Sequence, residues 1–441
     1  MYGACKTTSF LFLPSAFQVS FMPALLEICL ILCALLALLG VVFEEVIHIN
    51  KAKTTLFFGC LSWLLMFLFS GSVAHQDDLL EKLDHNLLEI ATLWLFLMAT
   101  MTFVAYLNAK GLVQTLIQRV CPQQMSKRSL MLMVAVFAMI LSMICDNVTA
   151  TLVTLGLMQA FNLDNRTRIK MAVLVVFAVN SGGVALITGD VTTLMIFLAG
   201  HVTMLQLAVL VLPAILGVLA LTLMLFPGVT GSVATDRVQR HLNPLDIAIM
   251  VIFFSTIFCT MLFNFLFQVP PVLTFLMGLS LMFLVGHWLR TDKEEIRILE
   301  YVRQVEYETL LFFLGILLLV GMLKEIGVLD LLTSAYAYLN PIVANYLAGL
   351  FSALIDNVPL TAALLKASPT LTTSEWLGLT YAVGVGGSML AIGSAAGIIA
   401  MSKVKGLTFG SYLRYFPLVA VAYTLGYWVT INLTRLLFTT L

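Results

Sequence analysis

Three acidic residues sit where acids are costly. Asp146, Asp190 and Asp356 each fall within long apolar stretches, with no lysine or arginine expected at the same depth. An ionised group in the middle of a hydrocarbon layer costs at least about 2.5–3.5 kcal/mol, so an acid there marks a working residue. Small oxygen donors crowd around all three. Asn147, Thr149 and Thr151 follow the first acid, and Asn357 and Thr361 follow the third. Asn180, Ser181, Thr188, Thr192 and Thr193 flank Asp190, and Ser388 and Ser394 lie in a related glycine-rich run. The glycines interrupt helices and free backbone carbonyls. Carboxylate, amide, hydroxyl and carbonyl oxygens form the shell that hard cations prefer. No cluster of arginine or lysine is there to hold an anion, and fixed acids repel one. Burial disfavours a charged carboxylate and a neighbouring cation favours it, so a proton and a cation compete for such a group. The bland alternative is that these acids cap helices, as Asp and Asn at a hairpin tip do.

Composition fixes the setting of these residues. The 441 residues are 61% hydrophobic and 10% charged, with a mean hydropathy of +1.04. A soluble domain carries about 25% charged residues. A soluble fold of this size could not cover its surface, which excludes a cytosolic enzyme, a secreted module and a disordered chain. Basic and acidic residues balance at 23 each with no basic block, which excludes a nucleic-acid partner. What remains is an all-α polytopic membrane protein whose constant partner is the lipid bilayer. The seven cysteines read as apolar fillers, and the six histidines show no metal-ligand spacing. No cofactor is expected.

The elements that position the acids follow from charge-free runs. Between Asp190 and Asp236 lie 45 residues without a formal charge, and between Asp246 and Arg290 lie 43. One span needs about 20 residues, so each run is two spans and a turn. Applied throughout, the rule predicts ten spans: 21–47, 54–75, 88–109, 171–198, 201–226, 245–266, 269–290, 309–325, 376–401 and 414–439. Segments 129–163 and 342–365 resist this treatment, because Asp146 and Asp356 sit near their centres. The arms of the second are too short to cross, so it is expected to enter and leave on one side; two short crossings stay open for the first. The acidic run Asp77, Asp78, Glu81 and Asp84 reads as a solvated outer loop. Glu27, Glu44, Glu45, Glu89, Glu306, Glu308 and Glu325 read as interfacial anchors, and 109–128 and 291–305 as amphipathic interfacial stretches. With these spans, 18 basic residues fall on one side and five on the other, so the rich side is expected to be cytoplasmic and both termini outside.

The two halves echo each other. Ser142-Met-Ile-Cys-Asp146-Asn147-Val148 matches Ser352-Ala-Leu-Ile-Asp356-Asn357-Val358, and Gly182-Gly183 followed by Gly189 matches Gly386-Gly387 followed by Gly393. Glu89-Ile-Ala-Thr-Leu likewise matches Glu306-Tyr-Glu-Thr-Leu. Each half holds an odd number of spans, so the expected fold is an inverted repeat of two halves, each of five transmembrane helices plus one re-entrant hairpin. Interrupted helices would meet at the midplane. The expected boundaries are an N-terminal segment 1–20, a first repeat 21–226, a cytoplasmic linker 227–244 and an inverted repeat 245–441.

The run Asp146-Asn147-Val-Thr-Ala-Thr, the stretch Asn180-Ser-Gly-Gly-Val-Ala-Leu-Ile-Thr-Gly-Asp190-Val-Thr-Thr193 and the stretch Gly386-Gly-Ser-Met-Leu-Ala-Ile-Gly-Ser394-Ala-Ala-Gly397 together resemble the NhaD-type sodium/proton antiporters of the ion-transporter superfamily. The likeness runs from about residue 25 to the C-terminus, and Gly-Asp-Val-Thr-Thr is its most specific part. The hairpin tips are also similar to the Ser-Asn-Thr tips of related dicarboxylate transporters, with Asp for Ser. The resemblance implies exchange of Na⁺ or Li⁺ for H⁺, a homodimer, an elevator-like motion of the hairpins and a bacterial inner membrane. Two departures stand out. Pro359 occupies the position of Thr149 in the second tip, and Ser394-Ala-Ala-Gly397 carries no acid matching Asp190.

On this reading Asp146 and Asp356 are the metal ligands for Na⁺, contested by protons. Asp190 is an auxiliary ligand or proton carrier. Asn147, Asn357, Thr149, Thr151, Thr361, Asn180, Ser181, Thr192, Thr193, Ser388 and Ser394 complete the cation- and proton-binding set. Three other readings stay open. They are a sodium-coupled organic-anion (dicarboxylate) symporter, a cation channel and an intramembrane aspartyl protease. The protease needs Gly-x-Gly-Asp where this chain has Ile187-Thr-Gly-Asp190.

Overall fold

The computed structural model describes residues 18–42, 49–69, 73–112, 124–159, 161, 163–234, 243–288 and 298–438. Of the expected N-terminal segment, 1–17 lie outside these, as do Glu44, Glu45, residues 235–242 of the linker and parts of both amphipathic stretches. Apolar runs become helices wherever they are long enough. The first half contributes α1 (Gln18–Val42), α2 (Lys51–Leu68), α3 (Val73–Ala109), α4 (Lys127–Ile144), α5 (Asn147–Gln159), α6 (Asn165–Gly183), α7 (Val191–Leu198), α8 (Met204–Ala208) and α9 (Val211–Leu225). The second contributes α10 (Pro244–Phe267), α11 (Pro271–Trp288), α12 (Tyr307–Glu325), α13 (Asp330–Tyr338), α14 (Pro341–Ser352), α15 (Asn357–Ala367), α16 (Thr373–Gly386), α17 (Ala395–Lys403), α18 (Phe409–Leu413) and α19 (Phe416–Phe438). Two short strands, β1 (Gln124–Ser126) and β2 (Ser232–Ala234), pair antiparallel.

Among the described residues, eight helices are long and apolar enough to cross a membrane. Leucines and phenylalanines stand exposed around the outside, among them Phe258, Phe265 and Leu273, as a lipid-facing surface requires. The interrupted elements differ. Helix α6 stops at Gly183 and α7 restarts after Asp190, and α16 stops at Gly386 before α17 restarts after Ser394. The breaks fall at the glycines the sequence pointed to. Helix α6 is buried over most of its length, so this broken element runs through the core.

Two expectations about helix limits need correction. Asp77, Asp78, Glu81 and Asp84 lie within helix α3 rather than in a loop. Of these, Asp78 pairs with Lys82 one turn away at 2.9 Å, and Lys82 also reaches Glu325 of α12 at 3.0 Å. Helix α2 begins at Lys51 rather than at residue 54, because Asn50 caps it by accepting the Ala52 N–H at 2.8 Å.

The halves pack by the same rule. Helix α4 lies against α6, and α14 lies against α16. The Ser142 hydroxyl reaches the Val179 carbonyl at 2.7 Å, and the Ser352 hydroxyl reaches the Val383 carbonyl at 2.7 Å. A side chain at Gly182 would collide with the Met139 carbonyl, and one at Gly386 with the Gly349 carbonyl. The halves also interlock, α5 packing on α17 and α15 on α7.

Candidate functional site

Four helix starts converge at the breaks. Asp146 and Asn147 open α5, Asp356 and Asn357 open α15, Asp190 opens α7, and Ser394 opens α17. A helix start offers unpaired N–H groups, and a short oxygen side chain satisfies them. Asp190 does so with one oxygen, Oδ1, which accepts the Thr192 N–H at 3.0 Å. Its other oxygen faces the tips of both hairpins. Asn147 Nδ2 donates to Oδ2 at 3.0 Å and Asn357 Nδ2 donates to it at 3.2 Å. Asp190 is only 6% exposed, and Asn357 is equally buried. Gly183 permits the approach: a Cβ there would lie 2.7 Å from Asn147 Oδ1 and 3.1 Å from Asp190 Cβ.

The two outer acids have different surroundings. Asp146 is held by its own helix, since the Thr149 N–H donates to Oδ1 at 3.0 Å and the Thr149 hydroxyl donates to Oδ2 at 2.9 Å. Pro359 replaces that threonine in the second tip and supplies neither donor. Asp356 therefore keeps one weak local bond, from the Val358 N–H at 3.4 Å, and its Oδ2 takes the Lys51 ammonium at 2.9 Å. The expectation that no basic residue reaches the acids is corrected here. Lys51 stands at the first position of α2, and its long arm carries the charge to the tip. Asp356 also lies within electrostatic reach of Asp190.

The other expected residues sort into three groups. Thr192 lies beside Asp190, with its hydroxyl lacking a close hydrogen-bond partner among the described residues. Asn180 donates to Ser394 Oγ at 3.1 Å and leaves its own Oδ1 buried and unpartnered, as is the Ser181 hydroxyl. These are spare oxygens that a hard cation can use. Thr151 and Thr361 bond back to the Asn147 and Asn357 carbonyls at 2.7 and 2.8 Å, and Ser388 bonds to the Val385 carbonyl at 2.5 Å. Thr188 bonds to the Met143 carbonyl at 2.7 Å, and the Thr193 hydroxyl lies 3.4 Å from the Gly183 carbonyl.

Two groups near the acids escaped sequence reasoning. One is Lys51. The other is Glu306, which reads as an anchor but lies close to Asp146. Partial desolvation first, and the Asp146 carboxylate second, push the Glu306 carboxyl above its usual range. Its one sequence signal is the matched Glu-x-x-Thr-Leu run that it shares with Glu89.

A cavity of about 480 Å³ opens at one end of the bundle, lined by Met195 and Leu198 of α7, Ala362 of α15, and Glu89, Lys366 and His201. Lys366 and Glu89 form an ion pair across it. The opposite end carries β1, β2 and the Lys127–Asp164 pair at 2.7 Å, where the ammonium holds the Asp164 carboxyl well below the usual range.

A polytopic helical membrane protein with buried carboxylates at paired helix breaks has the anatomy of a secondary carrier. The sequence profile of the citrate transporter family matches residues 38–384. The Na⁺/H⁺ antiporter NhaD of Vibrio cholerae is 31% identical over 429 residues, covering 90% of this chain and 89% of that protein. The NhaD of Vibrio parahaemolyticus is 31% identical over 407 residues, covering 85% of this chain and 98% of the relative. Sodium/proton antiporter 2 of Arabidopsis thaliana is 26% identical over 395 residues, covering 85% and 91%. The chain belongs to the NhaD-type antiporters within the citrate transporter family.

Proposed function

We propose that the protein exchanges Na⁺ or Li⁺ for H⁺ across a membrane by alternating access, the two ions competing for buried aspartates. The observation that carries this reading is the convergence of both hairpin tips, through Asn147 and Asn357, on one oxygen of the buried Asp190. A carboxylate held by neutral amides, with spare oxygens on Asn180, Ser181 and Thr192 nearby in the chain, offers a hard cation its preferred ligands. Asp190 is the central group. Asp146 and Asp356 are the flanking carboxylates for Na⁺, and the remaining hydroxyls and amides support them.

The matched serine and glycine contacts of the two halves support an inverted repeat. The short arms of 342–365 fit a re-entrant hairpin, whereas α4 in 129–163 is of spanning length, so that segment either re-enters or makes two short crossings. The division into repeats 21–226 and 245–441 follows the same symmetry. A homodimer, a bacterial inner membrane and an elevator-like motion complete the proposal by resemblance. The test is sodium-driven proton movement in proteoliposomes carrying a pH dye. Asp146→Asn, Asp190→Asn and Asp356→Asn are each expected to abolish it while the protein still inserts. Normal exchange in any of them removes that residue from the site. Sodium uptake that depends on citrate or succinate would favour the symporter instead.

A further inference from the structure

Among the described residues the ion pair at the second hairpin tip has no counterpart at the first, and residue 359 accounts for the difference. Asp146 has both oxygens occupied by Thr149 of its own helix, at 3.0 and 2.9 Å. Pro359 leaves Asp356 Oδ2 to an ammonium from another part of the molecule. That ammonium is well placed. Lys51 Nζ is 2.9 Å from Asp356 Oδ2, the side chains are 20% and 12% exposed, and Nζ lies 4.5 Å from the centre of the Phe312 ring. The aromatic face adds a cation–π attraction. Helix α2, which bears Lys51, is fixed to α12. Gly59 meets Gly315 at their crossing, and the Trp63 indole donates to the Leu318 carbonyl at 2.9 Å. The bond therefore ties a hairpin arm to a helix pair outside both hairpins and both broken helices.

We infer that Lys51 is a tethered competitor of the transported cation: its ammonium occupies the Asp356 half of the site while that carboxylate is ionised and unloaded, and pins the second hairpin to helix α2. The inference rests on the antiport reading of the same site. A metal ion and an ammonium cannot share one carboxylate oxygen, because two like charges at contact distance in a poorly solvated site repel strongly. A proton on Asp356 likewise removes the charge that Lys51 holds. Loading with either ion therefore releases the hairpin, whereas the empty carrier stays pinned. An exchanger needs that asymmetry, because reorientation of the empty form would dissipate the gradient. The two tips then differ in role. The Asp146 tip is closed by its own helix and binds without displacing a charge, and the Asp356 tip is the switched one.

The test uses the full chain in proteoliposomes. Lys51→Gln is expected to lower the KM for Na⁺ and Li⁺ by about tenfold, since a larger fraction of Asp356 is open to the cation. It is also expected to let Na⁺ cross under an imposed membrane potential without matching proton movement. Lys51→Arg, which keeps a tethered charge, should restore the higher KM and the coupling. A simple structural role would lower the maximal rate and leave the KM and the coupling ratio in place, and that outcome overturns the inference. Pro359→Thr keeps Lys51 and gives Asp356 the hydroxyl and N–H that Asp146 has. It should lower the KM in the same direction even if Lys51→Gln fails to insert, and an unchanged KM in Pro359→Thr overturns the inference as well. Wild-type protein that moves no protons in response to Na⁺ or Li⁺ defeats the antiport reading itself, a result distinct from either variant outcome.

Discussion

At the scale of single residues, the two asparagines decide whether Asp190 is a site or only a helix cap. A capping aspartate needs one backbone N–H, which Thr192 supplies. The other oxygen would then be indifferent to Asn147. If Asp190 is the central carboxylate, Asn147→Ala removes a hydrogen bond to a charged group, worth about 1.5–3 kcal/mol, and the apparent Na⁺ affinity should fall by tenfold or more. Initial rates of exchange against Na⁺ concentration measure this, and an unchanged KM in both Asn147→Ala and Asn357→Ala would move the centre elsewhere. The sequence marked all these residues, because acids and amides stand out in apolar runs. It ranked Asp190 as auxiliary to Asp146 and Asp356, and rank is a matter of distance. Asn147 lies 43 positions from Asp190 and Asn357 lies 167 away, and neither separation has a local signature. Lys51 escapes the sequence for a related reason. Span counting assigns a basic residue to a side of the membrane but says nothing of how far its arm reaches inward.

At the scale of elements, glycine contacts set the spacing of each hairpin against its broken helix. Gly182→Ala and Gly386→Ala each place a methyl group onto a backbone carbonyl that cannot yield as a side chain does, so overpacking should cost about 1–3 kcal/mol. Gly156 gives the contrast: it lies inside α5 with nothing within 4 Å of a Cβ. Gly156→Ala should stabilise by about 0.5–1 kcal/mol, because alanine loses less backbone freedom in a helix interior. Thermal unfolding of the detergent-solubilised chain should show lowered midpoints for the first two and a raised one for the third. Equal shifts in all three would show that the glycines serve helix flexibility instead of close approach. The helices themselves were legible from charge-free runs, and the breaks from paired glycines. Helix ends were less so. The apolar-run rule sees only where charges stop, so it cut α3 short at an acidic segment that helical pairing through Lys82 sustains.

At the scale of the whole molecule, the broken helices give the bundle two unlike ends. Helix α6 starts beside the Lys127–Asp164 pair, and α7 finishes in the wall of the cavity that holds Lys366 and Glu89. The end with Lys127 also gathers Arg128, whose Nε donates to the Val229 carbonyl, and Lys170, which donates to the Leu225 carbonyl. A basic excess marks the cytoplasmic side, so this end should face the cytoplasm and the cavity should face outward. Two positions on either side of the second broken helix test this within one repeat. Thr370, between α15 and α16, and Lys405, after α17, are both exposed. In a background with the native cysteines replaced, a membrane-impermeant maleimide added to intact cells should label Thr370→Cys and spare Lys405→Cys. Inside-out vesicles should reverse the pattern. Labelling of both from one side would mean that α16 and α17 do not together cross the membrane. The inverted repeat would then fail, because each half would no longer hold an odd number of crossings. Labelling of Lys405→Cys alone in intact cells would keep the repeat and turn the molecule over, placing the cavity on the cytoplasmic side and requiring Na⁺ to enter it from there.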